Sequence, residues 1–248
     1  MKNTEKVNDD DGSIHYQKIP RKKKVDGQIK SIRITMMKKF SDSPLLIKAY
    51  RDILRILRPV KHYSYHNIGH TLDVFGRARE LARLEKINDE ETVDLLIAAL
   101  FHDVGFIRAY NGNEIFSAEI ARAWLEKESH PEARIIRIEE LIFATVPFST
   151  PKNLLEKIIQ DADLDNFGRD DCFAKMWLVE EELRTIAGLD TATIYGIFWK
   201  IFHDIRFQSP VGIRQRQAKR FRNVIRFERL YNQLMRPQWK EDTVFKKD

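Results

Sequence analysis

The sequence predicts an all-α protein that forms a single bundle of about eight to ten helices. Apolar residues recur at steps of three and four through most of residues 43–235, as they do along one face of a helix. Stretches of alternating apolar and polar residues, which would indicate strands, are essentially absent. The sequence shows no repeat of fixed length, which favours a bundle over a solenoid.

The first three helices are predicted from capping residues and prolines. The first begins at Pro44, is capped by Ser43 and ends before Pro59. The second covers residues 64–84, and the third runs from Asp89, its predicted N-cap, to about Val104. Further helices are predicted over residues 114–127, 132–145, 151–160, 169–187, 192–204 and 211–235.

Residues 1–40 are predicted to be a charged leader outside the helical domain. They hold 11 Lys and Arg against 5 Asp and Glu, and they offer few apolar side chains to bury, a composition typical of disordered segments. We therefore assign residues 41–248 to the helical domain. Its most informative part is about residues 60–172, followed by C-terminal helices in residues 173–236.

The net charge of +6 is unevenly distributed. Residues 1–40 carry +6 and residues 205–248 carry +8, whereas the residues between them carry −8. Basic ends can attract nucleic acid, but no recognised nucleic-acid motif accompanies them, so nucleic acid is not an expected partner. An acidic middle segment favours a cation site.

Cysteine usage and hydropathy predict a cytoplasmic protein that does not act in a membrane. Cys172 is the only cysteine and cannot form an internal disulfide, which fits a reducing compartment. No apolar run approaches the roughly 18 residues that a membrane-spanning helix requires. The oligomeric state is not predicted.

Two histidines, His66 and His70, lie within the stretch Tyr65–Val74. Because they are four residues apart, they share one helical face if the helix has already begun at His66. This spacing alone is a weak signal, since ordinary helices often carry it.

The dipeptide His102–Asp103 follows seven apolar residues, Leu95–Phe101. Burying an unpaired charge after so apolar a run would be costly, and a bound cation removes that cost. The dipeptide by itself says little, because the chain contains a second one, His203–Asp204, among apolar residues where a hydrogen-bonded core histidine is the expected interpretation.

Three carboxylates, Asp161, Asp163 and Asp165, follow an apolar helical stretch. They could form a solvated helix start, but together with imidazoles elsewhere they favour the counter-charge of a cation. A mixture of imidazole and carboxylate suits Mn, Fe, Ni, Zn or Mg better than calcium, which prefers oxygen ligands alone.

Taken in chain order, His70, the pair His102–Asp103 and Asp163 resemble the HD superfamily of metal-dependent phosphohydrolases. The stretch Tyr65–Val74 is also similar to a helix of the cyclic-nucleotide phosphodiesterases, which have a related all-α fold. The segments Asn113–Ala118 and Asp161–Leu164 resemble those of a subfamily of predicted HD phosphohydrolases.

The resemblance implies a metal site and a mechanism. One divalent cation would be bound by His70, His102, Asp103 and Asp163, with Asp161 as the reserve candidate for the last ligand. The metal would activate a water for attack on phosphorus.

The resemblance also assigns roles around the metal. Asp103 would orient the nucleophile, and His66 would donate a proton to the leaving oxygen. Glu114 would accept a proton from the water or fix a metal ligand. Asn67 is expected near the substrate or behind a ligand.

Three positions at which two-metal members carry histidine hold other residues here, and this predicts one tightly bound cation. These positions are Phe106, Asn113 and Phe148. A second cation, if one binds, would depend on Asp103, Glu114 and water.

The expected substrate is a small phosphoester, with a nucleotide as the leading candidate. Arg216 and Lys219 share one face of a predicted C-terminal helix and could bind its phosphate, although a solvated basic face is the favoured interpretation. Two alternatives remain: a catalytically weak HD module that binds metal or nucleotide and regulates a partner, and a nucleic-acid binder that uses the basic ends.

Overall fold

The computed structural model describes residues 4–8, 14–18 and 43–241, with side chains placed for 43–235. The chain divides into two units, Met1–Ile47 and Lys48–Asp248. Most of the predicted charged leader lies outside the described residues.

The first unit contains a short hairpin. Strand β1 (Thr4–Asn8) pairs with strand β2 (Ile14–Lys18) in antiparallel orientation. The sequence analysis did not predict these two strands.

Residues 43–241 contain nine α-helices and no strand, so the predicted all-α bundle is confirmed for this part of the chain. The helices are α1 (Pro44–Ile56), α2 (Ile68–Leu84), α3 (Asp89–Phe101), α4 (Asn113–Lys127), α5 (Glu132–Ala144), α6 (Leu154–Asp163), α7 (Cys172–Thr185), α8 (Thr191–Asp204) and α9 (Pro210–Glu241). Short 3₁₀ turns cover Arg58–Val60, Val104–Ile107 and Asp165–Gly168. None of the described helices has the length and apolar character needed to cross a membrane.

Asparagine side chains cap α2 and α3, so the predicted start of α2 and the predicted N-cap of α3 are wrong. Asn67 Oδ1 accepts a hydrogen bond from the Gly69 amide at 2.8 Å, so α2 begins at Ile68 rather than near residue 64. Asn88, not Asp89, caps α3 through its 2.9 Å hydrogen bond from the Glu91 amide. Consequently His66 precedes α2 and does not share a helical face with His70.

Helix α3 is the central element of the domain. Every side chain in its apolar run Leu95–Phe101 is fully buried, and burying one Leu or Phe side chain contributes roughly 1.5–3 kcal/mol. Around it pack α2, α4, α5 and α6, and α2 also packs against α6. This arrangement brings the first turn of α2 close to the C-terminal ends of α3 and α6.

A second cluster of buried apolar residues joins α7, α8 and α9. In it, the Phe202 and Phe227 rings stack with centroids 4.3 Å apart. The start of α9 is tied to α6 by Asp161, whose carboxylate accepts hydrogen bonds from the backbone amides of Gln208 and Ser209, each at 2.8 Å. This link fixes the C-terminal helices against the last turn of α6.

Candidate metal centre

Three helix ends bring together the four side chains that the sequence analysis selected as ligands. His70 lies in the first turn of α2, and His102 and Asp103 follow the last residue of α3. Asp163 is the last residue of α6. Helix α6 therefore ends three residues later than predicted. Asp161 and Asp163 lie in its last turn rather than at a solvated helix start.

The donor atoms of these side chains converge on one point. His70 Nε2 lies 3.3 Å from His102 Nε2, 3.3 Å from Asp103 Oδ2 and 3.0 Å from Asp163 Oδ1. His102 Nε2 lies 3.1 Å from Asp103 Oδ2 and 3.6 Å from Asp163 Oδ1. Ligand atoms of His70, His102 and Asp163 all lie within 4.8 Å of one another, which is close enough for one ion to contact all three.

Two observations show that these residues fit a bound cation. His102 Nδ1 lies 2.9 Å from the Ala99 carbonyl oxygen, and when it donates there the lone pair of Nε2 faces the other ligands. Asp103 Oδ2 is buried and has no well-aligned hydrogen bond, although buried carboxylate oxygens are normally satisfied. A divalent cation would use both lone pairs, and the nitrogen and oxygen donors suit a transition metal or Mg²⁺.

The charges of the cluster compensate one another despite burial. Burial disfavours a charged His102, but the neighbouring carboxylates of Asp103 and Asp163 outweigh it and hold the imidazole pKa well above its ordinary value. Burial also opposes ionisation of Asp163, yet the adjacent imidazoles of His102 and His70 lower the pKa of Asp163 to about 2. The imidazoles and carboxylates therefore stabilise one another's charged forms.

Asp161, the reserve candidate for the last ligand, points elsewhere. Its carboxylate accepts hydrogen bonds from the Gln208 and Ser209 amides and, at 2.7 Å, from the Ser209 hydroxyl. A Cβ on Gly212 would lie only 2.1 Å from Asp161 Oδ2, so glycine permits this close approach. The geometry favours Asp163 as the ligand and gives Asp161 a structural role.

A histidine and a buried glutamate lie beside the cluster. His66 Nδ1 lies 2.5 Å from Glu182 Oε1, and the backbone amides of Tyr65 and His66 donate to Glu182 Oε2 at 2.8 and 3.0 Å. The His66 ring stacks on Phe106 with centroids 4.4 Å apart. These contacts fix the orientation of His66 and leave its Nε2 free of the glutamate.

Glu182 is the site residue that the sequence analysis missed. It lies on α7, 116 residues after His66, and no local motif marks it. Burial would raise the pKa of Glu182, but the hydrogen bond and positive charge of His66 outweigh burial and lower it. The Tyr110 hydroxyl also donates to Glu182, at 3.0 Å.

The cluster opens into a cavity of about 1100 Å³. His66, Asp103, Glu114 and Asp163 all line this cavity, together with many apolar side chains. Burial and the nearby Asp103 carboxylate raise the pKa of Glu114. The cavity also exposes three cationic side chains that the sequence analysis did not single out, Lys157, Lys200 and Arg206.

Three predicted substrate-binding residues do not line this cavity. Asn67 caps α2, and its Nδ2 donates to the Tyr63 carbonyl at 2.8 Å, so both ends of its amide are used. Arg216 pairs with Asp165 at 2.7 Å, and Lys219 pairs with Asp170. Both basic residues lie at a separate polar depression. Their positions support a structural role and do not support the predicted contact with substrate.

The three positions that lack the expected histidines also line the cavity. Phe106 supports His66, and Asn113 is buried at the start of α4. Phe148 is 46% exposed and adopts a left-handed backbone conformation with φ of 67°. Such a conformation costs roughly 1–3 kcal/mol in a residue other than glycine and is commonly found at functional sites.

A comparison with family models agrees with this geometry. Residues 67–165 match the model of the HD domain. The search of curated proteins and the search of solved structures gave no match. The matched segment runs from the cap of α2 to just past the end of α6, and it includes all four convergent side chains. The match over residues 67–165 is therefore consistent with an HD superfamily protein, and members of that family are largely metal-dependent phosphohydrolases.

Proposed function

We propose that the protein is a metal-dependent phosphohydrolase that cleaves a phosphoester of a nucleotide. The observation that carries the proposal is the convergence of His70, His102, Asp103 and Asp163 on one wall of a cavity that also presents a histidine held by a buried carboxylate. A site built only for structure would not need that histidine to face the cavity.

The roles of the side chains follow from their surroundings. A divalent cation at the cluster would lower the pKa of a water and polarise a phosphoryl oxygen. His66 would protonate the leaving oxygen through Nε2, because Glu182 occupies Nδ1 and stabilises the charged imidazole. Asp103 would orient the attacking water. Glu114, whose pKa is raised by burial, would accept a proton.

The proposed substrate has a phosphate at the cluster and an organic group in the rest of the cavity. A volume of about 1100 Å³ is large enough for a whole nucleotide. Lys157 and Asp163 both line the cavity from α6. Because they are six residues apart on this helix, Lys157 and Asp163 are separated by about 9 Å along the helix axis. Lys157, Lys200 and Arg206 replace Arg216 and Lys219 as the proposed phosphate-binding cations.

Metal analysis of the full chain, coupled to a hydrolysis panel of nucleoside phosphates, cyclic nucleotides and p-nitrophenyl phosphate, tests this proposal. We expect bound divalent metal, release of phosphate or alcohol that a chelator abolishes, and loss of both in Asp103→Ala. The control is Asp89→Ala, at the exposed start of the same helix, which should retain metal and activity. Turnover that survives Asp103→Ala would exclude the proposal, as would inactivity with every metal tested.

The second candidate is a regulatory HD module that binds metal or nucleotide without efficient turnover. Phe106, Asn113 and Phe148, which occupy the places of additional histidines, favour it. The same panel separates the two functions, because the module would bind metal and nucleotide but show no chelator-sensitive hydrolysis. In both cases a small phosphoester remains the proposed partner, and the cytoplasm remains the expected location.

A further inference from the structure

The side chain of Asn166 is a buried polar group that lines the cavity of the candidate metal centre. The residue is 8% exposed, and its Oδ1 has no hydrogen-bond partner among the described residues. Buried amide oxygens are normally satisfied, so this one calls for a ligand or an ordered water. The carboxamide carries a donor next to an acceptor whichever way the group is turned.

A nearby asparagine shows what a structural amide looks like in the same region. Asn223 is 1% exposed, and its Nδ2 donates to the carbonyl oxygens of Phe167 and Arg169 at 3.0 and 2.9 Å. It thereby holds the 3₁₀ turn Asp165–Gly168 against α9. Asn166 lies in the same turn, but its Oδ1 forms no comparable hydrogen bond among the described residues.

The turn fixes Asn166 relative to the metal cluster. Asn166 is the third residue after Asp163, and its neighbour Asp165 pairs with Arg77 and Arg216, each at 2.7 Å. Because the turn is held on both sides, the amide is presented to the cavity by a rigid segment. A group bound to Asn166 would therefore lie at a defined distance from a phosphate at the cluster.

The surroundings of the amide suit a flat ring. Phe167, Phe198 and Phe148 line the same cavity; Phe148 is 46% exposed, and the Lys200 ammonium lies 4.3 Å from its ring centroid. A cavity that combines aromatic side chains with a donor and acceptor pair suits a nucleobase, since rings can stack on the base and the amide can hydrogen-bond its edge. An apolar tail would leave the amide unsatisfied.

We infer that Asn166 is the specificity-determining residue of the site and hydrogen-bonds the base of the bound nucleotide. The inference rests on the proposed function, because it takes the phosphate to lie at the metal cluster. The inference extends that function by assigning recognition of the base to the side chain of Asn166.

The first test measures binding without metal or turnover. Thermal shifts of the full chain are recorded with adenosine, guanosine, cytidine and uridine at millimolar concentration, for the wild type and for Asn166→Leu. Leucine has the same branched shape and number of side-chain heavy atoms and removes an unsatisfied polar group, so the melting temperature without ligand should be unchanged or higher. The shift caused by the preferred nucleoside should disappear. Asn223→Leu, by contrast, should lower the melting temperature.

The second test looks for a change of preference. Asn166→Asp keeps an acceptor and loses the donor, so it should favour guanine, whose N1–H and N2–H₂ are two adjacent donors. We expect the ratio of kcat/KM for guanine to adenine nucleotides to rise roughly tenfold or more, since one matched base contact contributes discrimination of that order.

The outcomes separate the inference from the function. A lower melting temperature for Asn166→Leu together with an unchanged base preference would overturn the inference and leave the hydrolase intact. If the wild type hydrolyses nothing, the function fails, and the nucleoside shifts decide the inference alone. A wild type that binds no nucleoside and prefers no base also overturns it.

Discussion

The chain contains the dipeptide His-Asp twice, at the ends of two different helices. In both places histidine Nδ1 lies close to a backbone carbonyl one turn earlier, Ala99 at 2.9 Å for His102 and Trp199 at 2.7 Å for His203. His102 Nε2 then faces three candidate ligands, whereas His203 Nε2 meets one partly exposed carboxylate, that of Glu228, at 2.9 Å.

The difference shows that the neighbours of the dipeptide, rather than the dipeptide itself, create a metal site. Around His102 two further helices contribute His70 and Asp163; His70 is buried, and Asp163 is partly exposed to the cavity. His203 instead stacks on Trp199 with centroids 4.0 Å apart and holds α8 to α9. The same two residue types therefore perform different tasks in the two regions.

Replacing the two histidines should give the largest contrast. We expect His102→Ala to lose bound metal and, with it, the metal-dependent activity, because the remaining ligands cannot compensate for a buried donor. His203→Ala should retain both, with a small loss of stability. Elemental analysis and initial rates measure the contrast, and equal metal content in the two variants would show that the centre lies elsewhere.

The two histidine-glutamate pairs extend the comparison. Glu182→Gln should lower kcat by roughly 10²-fold while metal remains bound, because His66 loses the carboxylate that stabilises its charged form. Glu228→Gln, at the pair of His203, should leave kcat unchanged. If Glu182→Gln changed only KM, or if the two variants behaved alike, the assignment of His66 as proton donor would fail.

The stability contributed by Glu182 should depend on pH. Because the folded protein lowers its pKa below the ordinary 4.5, the contribution is fully present above that pH and is lost as the pH falls through the folded pKa. Urea unfolding of wild type and Glu182→Gln should therefore differ by about 1–3 kcal/mol at pH 7. The difference should shrink towards pH 3, and a constant difference would contradict the lowered pKa.

Two acids of α6 offer a smaller contrast. Asp161→Asn should cost about 1–3 kcal/mol of stability, because it disturbs three hydrogen bonds to residues 208 and 209, and it should keep the metal. Asp163→Asn should lose the metal, which separates it from Asp161→Asn. Melting temperatures and metal content measured on both variants would reveal a reversed assignment.

The smallest effect is expected at Cys172, which is buried like His102 but whose charged form is favoured only weakly by Arg226 and Arg169, so that burial dominates. Burial raises the pKa of its thiol to about 12. The native protein should therefore react very slowly with a thiol reagent at pH 8, and the unfolded protein should react at once. Rapid labelling of the native protein would show that this part of the core opens.

Local patterns predicted a large share of the fold and the ligands. The prediction of a long helix with the buried run Leu95–Phe101 follows from seven consecutive apolar residues, and the structure confirms it. Helix ends were less predictable, because the choice between Asn88 and Asp89, or between residue 64 and Asn67, depends on a single side-chain hydrogen bond. The assignments of catalytic and substrate-binding roles stay predictions.

By itself the sequence determined the helical class, the HD pattern and the order of His70, His102–Asp103 and Asp163, since periodicity and short motifs are local properties of the chain. The tertiary structure decided which groups share a cavity. In the folded protein Glu182 contacts His66, and Asp161 binds the residues just before α9. Arg216 and Lys219 lie outside the cavity, whereas Asn166 lines it. These outcomes depend on contacts between residues far apart in the chain, and such contacts are fixed only when the helices pack.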